Sequence, residues 1–146
     1  MLSSFLRIGG TRTNPLPLLS IVQCDGSFSR KGAAAAFLIY DASQQIVKSQ
    51  RMDLYNVKSS TEAEWASVFH GMEAALMENN ENIGLENDCL AVIAGLVHPT
   101  NSLRHSYARH YRQQILKLAD ETIWTGARWI PRKENRADDL FRPARI

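Results

Sequence analysis

No stretch of this chain stays apolar for the roughly 20 residues that a membrane-spanning helix needs, so a membrane protein is not expected. Cysteine is scarce. Cys24 and Cys89 are the only two, too few for a disulfide framework, and both sit in apolar strand or helix ends where buried thiols are the expected reading. That usage fits a reducing compartment, and a cytoplasmic location is expected. Neither sign of charge dominates: 17 Lys and Arg against 15 Asp and Glu leave a formal charge of +2, which permits a polyanionic partner without requiring one. Repeats and low-complexity segments are also missing. Residues 1–17 lack any Asp or Glu while holding Arg7, Arg12, two adjacent glycines, Pro15 and Pro17; they read as a loosely packed arm ahead of one domain over residues 18–146.

What remains is a globular chain of 146 residues, 45% apolar and 22% charged, long enough for one self-sufficient core. Leu18 to Asp25 reads as a strand ending in a carboxylate, followed by a turn on Gly26. Ala33 to Tyr40 reads as a buried strand, its four alanines implying close approach of something packed above, and Gln45 to Leu54 as a third. Short links make these three an antiparallel meander. Ser59 with Glu62, or Thr61 with Glu64, forms a capping box ahead of a helix whose Trp65, Val68, Phe69, Met72, Ala75 and Leu76 recur at helical spacing. Ile83 to Asn87 is a strand closed by Asp88, Leu90 to Leu96 a short helix stopped by Pro99, and Asn101 opens a longer helix. Thr122 to Ile130 is the last strand, Pro131 closes it, and a short helix is expected from near Asn135. The order implies an α/β fold: a five-stranded mixed sheet, three antiparallel strands then two crossover strands, with helices on both faces.

Four acids stand at pointed places in that scheme: Asp25 and Asp88 at the ends of neighbouring strands, Glu64 early in the long helix, Asp138 near the end of the chain. Ligands of open α/β sheets sit outside strand carboxyl ends near a switch in strand order. Taken singly, each acid also has a structural reading as a turn former, a cap or a solvated charge. If the four converge, they make an oxygen-only cage suited to Mg²⁺, a hard cation that prefers carboxylates and keeps several waters. His70, His98, His105 and His110 lie outside this pattern and are not expected to be ligands.

These residues carry a resemblance. Asp25-Gly26-Ser27, Thr61-Glu62-Ala63-Glu64-Trp65 with Gly71, Asn87-Asp88 with Leu90 and Val92, and Trp129-Ile130-Pro131-Arg132-Lys133-Glu134-Asn135-Arg136-Ala137-Asp138-Asp139-Leu140 occur in order. Together they resemble the type 1 ribonuclease H family over roughly Ser20 to Ala144. The resemblance implies a ribonuclease H-like fold and an endonuclease that cuts the RNA strand of RNA/DNA hybrids by two-metal-ion catalysis, leaving 5′-phosphate and 3′-hydroxyl ends. It implies two Mg²⁺ ions, with Mn²⁺ as a substitute: Asp25 between them, Glu64 and Asp88 on the leaving-group side, Asp138 on the side of the attacking water. A monomer acting on hybrid is expected. Gly26, Ser27, Ser60 and Thr61 occupy the positions that would meet the minor groove and its 2′-hydroxyls.

The chain departs from the family pattern in two ways. Counting from Asn135 selects Asp139 as the fourth acid, whereas matching Ala-Asp-x-Leu selects Asp138; the second is adopted because Leu140 must then face the core. A loop histidine found in many members is absent between Pro131 and Asp139, so Arg132 is assigned its place, as a charge near the scissile phosphate. Two other classes fit the same pattern: a non-catalytic ribonuclease H-like nucleic-acid-binding module, and another nuclease of this fold. The Asp-x-Glu expected of a proofreading-type exonuclease is missing from the first strand.

Overall fold

A computed structural model describes residues 4–98 and 103–142. In chain order the elements are β1 (Leu6–Gly9), β2 (Ser20–Ser29), β3 (Gly32–Tyr40), β4 (Ile46–Leu54), α1 (Ser60–Met77), β5 (Asn82–Asn87), α2 (Leu90–Val97), α3 (Ser106–Ala119) and β6 (Trp124–Trp129). Two 3₁₀ turns, Arg132–Glu134 and Arg136–Phe141, follow. The strands form one mixed sheet in the order β1-β6-β5-β2-β3-β4. β2, β3 and β4 are the antiparallel meander, and β5 and β6 run parallel to β2.

The sheet therefore has six strands where five were expected. The sixth comes from the arm: β1 pairs antiparallel with β6, Leu6 opposite Ala127 and Arg7 opposite Gly126. Four residues ending in a glycine pair are too short to show an alternating pattern, yet Ile8 packs on the core and the strand covers the β6 edge. The first long strand also runs further than its sequence suggested, through Asp25-Gly26 to Ser29, with the turn at Arg30-Lys31 and a positive φ at Gly32. Near Asn135 there are 3₁₀ turns in place of a regular helix. The expected start of the third helix at Asn101, and the Pro99 stop before it, lie outside the described residues.

Side chains on successive strand residues point to opposite faces, and that alternation sorts the core into two layers. Val22, Cys24, Phe37, Ile39, Ile83, Leu85 and Ala127 face α1, α2 and α3. Ala36 and Leu38 face the other way and meet Ala137, Leu140 and Phe141 of the last 3₁₀ turn. The alanine run of β3 thus lets helix on one side and turn on the other approach the backbone closely. Leu140 does face inward. No helix among the described residues is long and apolar enough to cross a membrane.

Candidate active site

Parallel pairing of β2 with β5 sets Gln23 opposite Glu86. Two residues further along both strands, Asp25 and Asp88 emerge level with one another. Asp25 is buried, on the face away from the helices, beside Ala36 of β3. Trp129, opposite Asn87 in β6, donates its indole N–H to the Asp88 carbonyl at 3.0 Å and steadies the strand end.

Glu64 arrives from α1. Ser59 is the N-cap that accepts the Glu62 amide at 3.1 Å, and the Glu62 carboxylate accepts the Lys58 amide, so the box built on Ser59 is used. Thr61 lies inside the helix, and the Glu64 side chain reaches across to β2 instead. Its Oε1 accepts the Gly26 amide at 2.6 Å and the Asn87 amide at 3.2 Å. Gly26 makes this possible, because a Cβ there would stand 2.4 Å from the Ala63 carbonyl carbon. Only glycine lets the helix backbone lie so close to the strand.

One carboxylate oxygen from each of Asp25, Glu64 and Asp88 falls within 4.8 Å of the other two. Burial penalises their charges first and their mutual repulsion adds to it. Asp25 is pushed up to about 9, by desolvation and then by Glu64, Asp88 and Asp138. Burial pushes Glu64 up to about 7 against the opposing hydrogen bonds from Gly26 and Asn87. Asp88 is raised by burial and by Asp138, and drawn back by the Arg132 guanidinium and the Asn135 amide. Three acids packed so tightly need protons or a cation. The donor set is oxygen only and suits a hard divalent ion: Cys24 points into the helix-side core, and neither Cys89 nor any histidine joins the group among the described residues.

The remaining predicted residues fall at different distances from this centre. Asp138 lies outside the group of three, but its carboxyl hydrogen-bonds with Asp25 and so helps to raise it; its other partner is Arg142 at 3.2 Å. Asp139 is exposed and pairs with Arg142 at 3.6 Å. Arg132 is exposed within electrostatic reach of Asp88. Ser27 is half-buried on the Asp25 face, and Ser60 and Thr61 open α1. Gly26 gives its amide to Glu64 and its open face to Ala63.

Two asparagines hold the centre together and were quoted in the motifs without a role. Asn87 and Asn135 both donate to the Cys24 carbonyl at 2.8 Å, tying β5 and the last loop to the residue before Asp25. Both are almost wholly buried, and a buried amide beside an acid is the signal that points to them. A groove of about 450 Å³ opens beside Asp138, lined by Arg132, Lys133, Asn135, Arg136, Asp139 and Arg142. A larger one of about 620 Å³ runs along α3 and contains none of the four acids.

A five-stranded core order with crossover helices, three acids from β2, α1 and the end of β5, and a fourth from the terminal turn define a ribonuclease H-like protein. The chain belongs to the family described as reverse transcriptase-like, whose model matches residues 23–141. The fold is similar to that of the N-terminal RNase H domain of Rv2228c from Mycobacterium tuberculosis, with a TM-score of 0.76 and 17% identity over 84% of this chain and 90% of that one. It is similar also to RNase H1 from the archaeon Halobacterium salinarum, with a TM-score of 0.72 and 22% identity over 84% and 92%. LC11-RNase H1, solved in complex with an RNA/DNA hybrid, aligns with a TM-score of 0.72 and 16% identity over 83% and 92%. No curated protein sequence matches the chain.

Proposed function

We propose that this protein is a metal-dependent endoribonuclease that hydrolyses the RNA strand of RNA/DNA hybrids, leaving 5′-phosphate and 3′-hydroxyl ends. The observation that carries this reading is the meeting of Asp25, Glu64 and Asp88 within 4.8 Å on a ribonuclease H-like framework. Asp25, Glu64 and Asp88 would hold one Mg²⁺, and Asp25 with Asp138 a second, Mn²⁺ serving in their place. Bound there, such ions supply an activated water and neutralise charge on the scissile phosphate.

The chain's own groups do the rest. Gly26 and Asn87 orient the Glu64 carboxylate, and Asn135 fixes the loop that presents Asp138. Arg132, with Lys133 and Arg136 along the same groove, draws in the phosphate backbone and sets its register. Ser27, Ser60 and Thr61 would offer hydroxyls to the minor groove of a hybrid, where 2′-hydroxyls distinguish RNA from DNA. The fold similarity to a structure that holds a hybrid supports this choice of substrate.

The test is cleavage of a labelled RNA/DNA hybrid, the matching RNA duplex and each single strand, with and without Mg²⁺ or Mn²⁺. Cuts in the RNA of the hybrid alone, dependent on metal, are expected. Metal-dependent binding without any cut would instead make the protein a non-catalytic nucleic-acid-binding module, and cuts in DNA another nuclease of this fold.

A further inference from the structure

The face of the sheet away from the helices carries a polar ladder that the catalytic scheme leaves unused. Gln23, Glu86 and Arg128 stand side by side on β2, β5 and β6, in register. Gln23 and Glu86 are buried, and buried polar side chains persist where every group is satisfied. Glu86 Oε1 accepts from Gln23 Nε2 at 2.9 Å, and its Oε2 accepts from Arg128 Nε at 2.7 Å and from the Arg128 terminal amino group. The Arg128 guanidinium lies 4.1 Å from the ring centroid of Phe5, a cation–π contact. Phe5 can lie there because Gly84 and Gly126 leave space: a Cβ on either would come within 3.0 Å of it.

The other end of the ladder grips the loop that bears Asp138. Gln23 Nε2 donates to the Glu134 carbonyl at 3.2 Å, and Gln23 Oε1 accepts the Arg136 amide at 3.1 Å, so one side chain holds the backbone on both sides of Asn135. The Arg136 N–H can only donate, which fixes the amide orientation. Tyr40 donates its hydroxyl to the same oxygen at 3.3 Å. Asn135 itself bonds to the Cys24 carbonyl, next in β2. Two consecutive residues of the strand that carries Asp25 thus set where the Asp138 loop begins.

We propose that Gln23, braced by the Glu86–Arg128 pair, is a positioning residue that sets the Asp138 carboxylate against Asp25. The proposal deepens the reading of the four acids as a metal site and rests on it. Groups that orient metal-binding side chains typically cost ~10- to 100-fold in metal affinity or activity when removed. Gln23→Leu keeps the volume and removes all four hydrogen bonds. Tyr40→Phe removes one and leaves the packing alone.

The experiment follows three readouts on the full chain: Mn²⁺ binding by calorimetry, amide hydrogen exchange at Arg136 and Ala137, and hydrolysis of hybrid against Mn²⁺ concentration. Expected for Gln23→Leu are ~10-fold or weaker Mn²⁺ binding, faster exchange at Arg136, and a rate that recovers as Mn²⁺ is raised while the KM for hybrid moves little. Tyr40→Phe shifts the same readouts in the same direction by less. Unchanged Mn²⁺ affinity and unchanged Arg136 exchange in a folded Gln23→Leu protein would overturn the proposal. If Gln23→Leu does not fold, Tyr40→Phe decides by the same two quantities. Failure of the parent protein to bind Mn²⁺ counts against the metal-site reading, and the Arg136 exchange rate still judges the clamp.

Discussion

At the scale of single residues, Asp25 is the carboxylate most at odds with its surroundings. Burial and three neighbouring acids push it up to about 9, which favours its protonated form in the folded, metal-free protein at neutral pH. Asp25→Asn keeps the shape and removes the ionisation. Hydrolysis of hybrid is expected to fall to background, while the melting temperature of the metal-free protein rises by several degrees. A variant that cleaves at the parent rate would remove Asp25 from the chemistry. Asp138 and Asp139 offer a sharper comparison, since they are adjacent and both pair with Arg142. Asp138 is among the acids that raise Asp25. Asp138→Asn is expected to abolish cleavage and Asp139→Asn to leave it close to the parent rate, with stability within about half a kcal/mol as for other surface changes; the reverse result would move the fourth acid one residue along.

At the scale of elements, the approach of α1 to β2 decides whether Glu64 can act at all. The helix rests on Gly26 and, a few turns on, its own Gly71 rests on Cys24 and Val22. Adding a methyl at Gly26 places it 2.4 Å from backbone that has no flexible end to move aside. Gly26→Ala is therefore expected to cost about 1 to 3 kcal/mol in a denaturant titration and to lose activity out of proportion, because the shift breaks the 2.6 Å bond that aims Glu64. Full activity at reduced stability would show that the glycine serves packing alone. The pattern that put Gly26 next to an acid was legible in sequence, since strand alternation, the capping residue and the acid-bearing motifs are local. The strand from the arm was not, because Leu6–Gly9 is stabilised by its pairing with β6, more than a hundred residues distant in the chain, and by Ile8 on the core. Gln23, Glu86 and Arg128 were equally hidden: polar residues alternating with apolar ones read as a solvent-facing side, and only the sheet register brings them together under the Asp138 loop. The residues left after Pro131 have room for one short helix, and in so short a segment the sequence does not separate an α-helix from the 3₁₀ turn that Arg136–Phe141 forms.

At the scale of the whole molecule, the acids link folding to pH and to metal. In an unfolded chain Asp25, Glu64 and Asp88 titrate near 4, whereas in the folded protein Asp25 is raised to about 9, Glu64 to about 7, and Asp88 also upward. Between those limits the folded state binds more protons than the unfolded one, so stability falls as pH rises. The contribution of these groups is complete below the unfolded values, declines through the Glu64 step and is gone above the Asp25 step. A divalent ion competes with the same protons, so its affinity, and the stability it adds by binding only the folded state, increase over the same range. Melting curves at about pH 6 and about pH 9 are expected to show a metal-free protein that weakens with pH and a Mg²⁺-induced rise in melting temperature that grows with it. Asp25→Asn should flatten both trends, since it removes the group with the highest step. A Mg²⁺ gain equal at the two pH values in parent and variant alike would mean that the ion binds somewhere other than among these carboxylates.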